Sequence, residues 1–243
     1  MKRTISVILV ALLLVSATLL LTACDSGVHS EEDWNKAMER LATCDAVTLT
    51  IEDKQVDQNN LVNKRTYKRK MTITFDAQQG VAHVEYESKT LGAIDEDQGS
   101  GKSEEYYVAD GSTMLIYRRR LTESSDKVWS GGRFTYGLNS EEDVSKALRE
   151  KYLHTKYSSE TEYLDLTTLN YSAFYEDKNT YQRTEKDEYN NIAYKLTFTN
   201  GFLTEVYYEK VEDTSGPKNS RKFTIKIKYT ASITLPTDLP EVK

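Results

Sequence analysis

The chain has 243 residues with 32 basic and 38 acidic side chains, a formal net charge of −6, and this length fits one domain or two small ones. Apolar residues recur periodically along most of the chain, which excludes a disordered protein. The acidic balance disfavours nucleic acid or another acidic polymer as a partner, because binding phosphates requires concentrated lysine and arginine.

Residues 1–23 have the pattern of an export signal. A basic start, Met1–Arg3, precedes an apolar run over Ile5–Leu21. That run is barely long enough for a transmembrane helix, which is the alternative interpretation. A basic start, an apolar run and small residues at its end are together typical of a cleaved signal peptide, so we predict cleavage after residue 23.

The last residues of this segment resemble the lipobox of bacterial lipoproteins: Leu21, Thr22, Ala23 and Cys24. The resemblance implies that the Cys24 thiol receives a diacylglycerol, that cleavage follows Ala23, and that acyl chains such as palmitate anchor the mature protein. The protein would then lie at the extracytoplasmic face of the cell membrane. A short tether, residues 24–29, would hold the domain near the bilayer, because the five residues after Cys24 span at most about 18 Å.

The first element of the domain is a predicted amphipathic helix. Ser30 and Asp33 approximate a capping box at its start. Apolar residues at helical spacing follow, and they are Trp34, Ala37, Met38 and Leu41. The helix is expected to end near Cys44.

Alternating apolar and polar residues then predict a series of strands. These strands cover Val47–Ile51, Tyr67–Phe75, Ala82–Tyr86, Glu105–Ala109 and Thr113–Arg118. Arg69 is the one charged residue in the apolar register. Asp76–Gly80 forms a turn, and Asp110-Gly111 is a strong hairpin signal.

The middle of the chain differs in pattern. Ser140 and Asp143 approximate a second capping box, which predicts a helix that runs through Tyr152. A tyrosine-rich stretch follows, and within it we predict a further short helix over Leu166–Tyr175.

Strands return with Ile192–Phe198, followed by a turn at Asn200-Gly201. A two-residue loop would place Leu196 opposite Glu205. A three-residue loop with Gly201 in the left-handed region instead pairs Leu196 with Thr204 and keeps one face free of charge, so we prefer it.

The clearest pattern in the chain is the alternation over Phe223–Leu235. It predicts one strand of roughly 43 Å, long enough that it must twist and curl. Strict alternation throughout indicates an antiparallel sheet with one buried face. The predicted fold is therefore α+β and mostly β: a curled antiparallel sheet, or incomplete β-barrel, with a few short helices on its concave face, in a single domain over residues 30–243.

This order of elements resembles the LolA/LolB/LppX-like lipoprotein fold. The resemblance is carried by the Trp34 helix before Val47–Ile51 and by the closing run over Tyr229–Pro236. It implies a cavity between sheet and helices that accepts acyl chains or another apolar ligand, and no functional residue carries over. The candidate lining of that cavity comprises Trp34, Met38, Leu41, Met71, Ile73, Phe75, Val84, Tyr86, Leu196, Phe198, Ile225, Ile227 and Tyr229.

No catalytic or metal-binding motif stands out, so we predict no enzyme, no metal and no cofactor. The histidines, which are His29, His83 and His154, fall in different elements and are expected at the surface. The acidic run Asp95–Gly101 fails an EF-hand frame, because Ser100 occupies the glycine position, and it is better explained as a solvated loop.

Two further residues are of interest. Cys44 is the one thiol left after Cys24 is lipidated, and it is expected to pack as a small apolar residue, with a redox or intermolecular role as the alternative. Trp129 lies in a Ser/Gly-rich loop, which is a modest sign of a binding surface.

The leading functional hypothesis is a non-enzymatic envelope lipoprotein that binds an apolar or lipid-like ligand between sheet and helices. The alternative is an interaction or scaffold lipoprotein with a filled core that binds an envelope protein. An enzyme ranks third, and nucleic acid is not expected as a partner.

Overall fold

The computed structural model describes residues 27–58, 64–93, 96–111, 113–122, 127–134, 170–177, 180–186, 188–212 and 218–242. The predicted signal peptide, the lipobox with Cys24 and the helix expected from Ser140 to Tyr152 lie outside these residues. Across the ranges described, none of the helices combines the length and apolarity that a bilayer crossing requires.

The predicted N-terminal helix is confirmed as α1, Glu31–Thr43. The Ser30 hydroxyl accepts a hydrogen bond from the Asp33 backbone N–H at 3.2 Å, as expected of an N-cap. All four residues of the predicted stripe are buried on one side of the helix: Trp34, Ala37, Met38 and Leu41.

Eleven strands form one antiparallel sheet in the described part of the chain. They are β1 (Ala46–Gln58), β2 (Lys64–Asp76), β3 (Val81–Leu91), β4 (Asp97–Asp110), β5 (Thr113–Arg120), β6 (Ser130–Phe134), β7 (Tyr175–Asp177), β8 (Thr180–Lys186), β9 (Asn190–Thr199), β10 (Phe202–Glu212) and β11 (Ser220–Lys228). The order across the sheet is β6-β5-β4-β3-β2-β1-β11-β10-β9-β8-β7, so β6 and β7 are edges and the barrel is not closed. The mostly β fold class is confirmed.

One face of the sheet, the inner face, carries the main hydrophobic core. Burial alternates along β1, where Val47, Leu49 and Ile51 are buried, as the sequence pattern predicts. The inner faces of β1–β5 and β8–β11 contribute to one cluster, and the buried side of α1 packs against it.

The prediction of a final strand over Phe223–Leu235 is wrong in its second half, because β11 ends at Lys228. Lys228 pairs with Thr48, and the partner strand β1 extends only two residues beyond Thr48, to Ala46. On the other side, β10 starts only at Phe202. A strand that continued past this point would have unpaired backbone groups on both sides.

The chain after β11 instead reaches the opposite face of the sheet, the outer face. Its apolar residues pack on a second, smaller cluster, and they are Ile233, Leu239 and Val242. The buried members of that cluster are Tyr106, Tyr117 and Trp129. The alternation in this segment therefore reflects packing across a sheet face and not strand pairing.

The preferred hairpin register at Asn200-Gly201 is also wrong. Thr199 pairs with Phe202 around a two-residue loop, and both loop residues have positive φ, 53° and 73°, as in a type I′ turn. A register shift between Leu203 and Glu205 then brings Val206, not Glu205 or Thr204, opposite Leu196. This bulge keeps Leu203 and Val206 buried, which neither expected register allowed for.

Two local predictions need correction as well. Within the predicted helix over Leu166–Tyr175, the described residues form a short 3-10 helix, Tyr171–Ala173, and strand β7 begins at Tyr175. Residues Asp97–Gly101, expected in a solvated loop, belong to β4 and pair with β3. The Lys89 ammonium lies 3.1 Å from an Asp97 carboxylate oxygen across these two strands.

Candidate functional site

The structure brings most of the predicted cavity lining together. Ten of these residues are buried in the inner-face cluster: Trp34, Met38, Leu41, Ile73, Phe75, Val84, Leu196, Phe198, Ile225 and Ile227. Met71 and Tyr229 are partly buried against it, whereas Tyr86 is half-buried outside it. The predicted side chains therefore form a core.

The surroundings of Trp34 are filled by aromatic rings of the chain itself. Its ring centroid lies 5.7 Å from Tyr171, 5.4 Å from Phe174 and 5.1 Å from Tyr181. Phe198 lies at 5.2 Å on a further side. These distances are those of packed aromatic pairs, so described rings of the chain itself occupy these sides of Trp34.

Tyr171, Phe174 and Tyr181 were not identified from the sequence as neighbours of Trp34. The tyrosine-rich stretch of the sequence contains these residues, but it follows neither a helical nor a strand period, so the sequence does not indicate which of them face inward. The Tyr181 hydroxyl also donates a hydrogen bond to the Val28 carbonyl at 2.9 Å, which fixes the start of the domain to the core. Burial raises the pKa of Tyr181 well above its usual value, so this hydroxyl keeps its proton.

Arg69, the charged residue in an apolar register, lies at the polar end of the inner face. Arg221 binds Asp53 through two hydrogen bonds of 3.2 and 3.0 Å. Arg69 adds an ion pair to the same carboxylate at 3.7 Å. Arg69 therefore shares the Asp53 carboxylate with Arg221 and remains partly exposed, and this explains how the inner face tolerates it.

The outer face holds a groove of about 950 Å³ over β11 and β1–β4. Its most unusual feature is a row of lysines on four neighbouring strands, which we call the lysine row: Lys222, Lys54, Lys68 and Lys89. Each of these lysines is the direct pairing partner of the next. They point away from the inner face, because side chains alternate along a strand.

The charges around the lysine row are only partly balanced. Lys89 pairs with Asp97 at 3.1 Å, and the Lys222 ammonium lies 4.9 Å from the centre of the Tyr207 ring. The hydrogen bond to Tyr207 raises the pKa of Lys222. Among the residues that the structure describes, Lys54 and Lys68 form no ion pair.

A second row of outer-face residues borders the first and alternates in charge. Its members are Glu52, Lys70, Glu87 and Lys102, which oppose one another across β1–β4. Lys102 lies 2.7 Å from Glu87, and its hydrogen bond and charge lower the pKa of that carboxyl. The groove thus has one uniformly basic row and one mixed row.

A third group on the outer face surrounds Glu104, which is 8% exposed. Arg119 donates to one Glu104 oxygen at 2.8 Å, and the His83 Nε2 lies 2.9 Å from the other. Burial alone would raise the pKa of Glu104, but the hydrogen bond and charge of Arg119, helped by His83, lower it. Burial and the neighbouring Glu104 raise the pKa of Tyr106 to about 12.

Several single-residue predictions are settled by this arrangement. Trp129 is 7% exposed, and its indole N–H donates to Asp238 at 3.2 Å, so it is not an exposed binding aromatic. His83 stacks on Tyr106 with ring centroids 4.3 Å apart, so it is not a freely exposed residue, whereas His29 is exposed as predicted. Cys44 packs against the core as predicted, and its thiol donates to the Leu41 carbonyl.

Two other grooves are lined by described residues, one near Glu209 and one near Arg118. Neither these two nor the groove of the lysine row includes a residue of the predicted cavity lining. In the described ranges, no three His, Cys, Asp or Glu side chains are grouped so that they could hold a metal ion. Of these three grooves, the one with the lysine row is the largest and has the most distinctive charge.

No protein-family profile matches the chain, and no curated protein matches it. Among solved structures, a beta-barrel-like protein of the domain of unknown function DUF1849 from Brucella abortus resembles the chain, with 10% identity and a TM-score of 0.30. The match covers 75% of this chain and 97% of that chain. At this identity and TM-score, the likeness supports no functional inference.

Proposed function

We propose that the protein is a lipid-anchored extracytoplasmic lipoprotein without catalytic activity that binds a partner on its outer face. The single observation that carries the choice is the enclosure of Trp34 by four aromatic rings of the same chain. A carrier of apolar ligands needs vacant volume at such a position, and here the rings occupy it. The filled-core alternative is therefore preferred over the ligand carrier.

The anchor in this proposal rests on the resemblance of Leu21–Cys24 to a lipobox. The packing at the start of the domain fits a short connection to a membrane, because Val28 is fully buried and follows Cys24 by only four positions. Four residues span at most about 14 Å. The end of the domain that holds Val28 and the β9–β10 turn would then face the bilayer.

The anchor is tested by replacing Cys24 with serine in the full chain. We expect wild-type protein to incorporate a labelled fatty acid and to remain with membranes in high salt, because two or three acyl chains anchor a protein stably. The Cys24→Ser protein is expected to lack the label and to be uncleaved or released. Cell fractionation and label incorporation measure both effects.

Cys44→Ser is the matched control, because this thiol packs between α1 and β1. It should keep both the label and the membrane location. A Cys24→Ser protein that is labelled, fractionates and migrates like wild type would refute the proposed anchor.

A further inference from the structure

The lysine row concentrates positive charge in a protein whose total charge is −6. Like charges directly opposite one another in a sheet are destabilising, and here three successive cross-strand pairs are Lys–Lys pairs. The four lysines come from four different strands, so a lysine-rich stretch of sequence does not account for the row. The fold therefore maintains a local cluster of positive charge at a cost in stability.

We propose that the lysine row binds a linear, phosphate-bearing polymer that lies across the strands. This inference rests on the proposed function, since it names the class of partner for the outer face. Adjacent strands lie about 4.8 Å apart, so four lysines form a row of about 14 Å. Lysine ammonium groups bind phosphate as point charges and tolerate variation in its orientation.

The charges beside the row give the polymer a direction. Glu52 and Glu87 lie in the bordering row, where Glu87 is already paired with Lys102. The bordering row alternates in charge and has no net charge, so the positive charge that a polyanion follows lies along Lys222–Lys54–Lys68–Lys89. Glu209, the pairing partner of Lys222 on β10, bounds this row at one end. Lys54 and Lys68 at the centre make no ion pair with any described residue, so their ammonium groups can contact a phosphate without breaking such a pair.

The position of the groove favours a polymer over a flat anionic membrane. Lys54 lies eight residues along β1 from Ala46, at the end where α1 enters the sheet. At about 3.3 Å per residue, this places the row roughly 26 Å from the end of the domain proposed to face the bilayer.

The test uses the full chain with its anchor, purified in a non-ionic detergent, and inorganic polyphosphate as the probe. The variant Lys54→Gln/Lys68→Gln removes the two central charges. The control Lys195→Gln/Lys228→Gln removes two exposed outer-face lysines that do not line the groove. We expect the groove variant to bind polyphosphate at least about tenfold more weakly than wild type, with a smaller dependence of Kd on salt, and the control to remain within about twofold.

Three results would overturn the proposal. One is the absence of salt-dependent polyphosphate binding by wild type, and another is equal weakening in both variants, which would indicate non-specific charge. The third is a loss of binding to phosphatidylglycerol vesicles in the groove variant with unchanged polyphosphate binding, which would make the partner a membrane. A failed anchor would appear in fractionation of Cys24→Ser and leave these binding results unchanged, so the two failures are distinguishable.

Discussion

Replacing Trp34 with alanine is expected to lower the free energy of unfolding by about 3–5 kcal/mol, because removing a fully buried large aromatic residue loses its transfer energy and leaves a cavity. Trp34 is 0% exposed and touches rings from three separate parts of the chain, including Phe198 of β9. Its removal therefore unpacks the junction between α1 and the sheet. Urea unfolding, read as the shift in midpoint at constant slope, measures the change.

The size of this effect separates a filled core from a binding cavity. If Trp34 bordered vacant volume, its ring would have fewer packed neighbours, and its replacement by alanine would cost less free energy of unfolding. Trp34→Phe is the matched control, since it keeps an aromatic ring and should recover a large part of the loss. A loss below about 1 kcal/mol for Trp34→Ala would contradict the packing described for this residue.

The second large effect is expected at Glu104. Glu104→Gln keeps the shape of the side chain but removes the charge that Arg119 and His83 face, so we expect a loss of roughly 2–3 kcal/mol at pH 7. Glu87→Gln is the control, because Glu87 is about half exposed and its ion pair with Lys102 is worth at most about 1 kcal/mol. Equal losses in the two variants would show that the burial of Glu104 has no special energetic role.

The pH dependence of this difference has a defined sign. The folded-state pKa of Glu104 lies below the ordinary value of 4.5, so its contribution to stability is fully present above that value. It is lost as the pH falls through the lower folded pKa. The stability gap between wild type and Glu104→Gln should therefore close as the pH falls below this range, as followed by urea unfolding at a series of acidic pH values.

The local elements of the fold were predictable where a single period dominates the sequence. Residues close together in the sequence determine both the N-cap and apolar stripe of α1 and the alternating burial over Val47–Ile51. The end of β11 at Lys228 was not predictable in this way. It depends on where β1 and β10 begin, and no feature of the alternating run Phe223–Leu235 contains that information.

The hairpin at Asn200-Gly201 shows the same limit on a smaller scale. The turn signal was correct, but the register depends on a bulge between Leu203 and Glu205. Both expected registers assumed regular pairing. A bulge is favoured only because Leu203 and Val206 both reach the core, which is a tertiary effect.

Total charge does not describe the local charge on the outer face of the sheet. A net charge of −6 disfavoured acidic polymers, yet the register of β11, β1, β2 and β3 gathers four lysines from distant parts of the chain. Surface potential depends on this local arrangement and not on the sum. The lysine row could be found only once the strand pairing was known.

Native mass spectrometry of the full-length protein, released from membranes in a non-ionic detergent, tests the central claim most directly. The account predicts a mature chain that begins at Cys24, carries two or three acyl chains and holds no additional apolar molecule. A chain with unmodified Cys24, or a lipid that co-purifies in the core in stoichiometric amount, would contradict it.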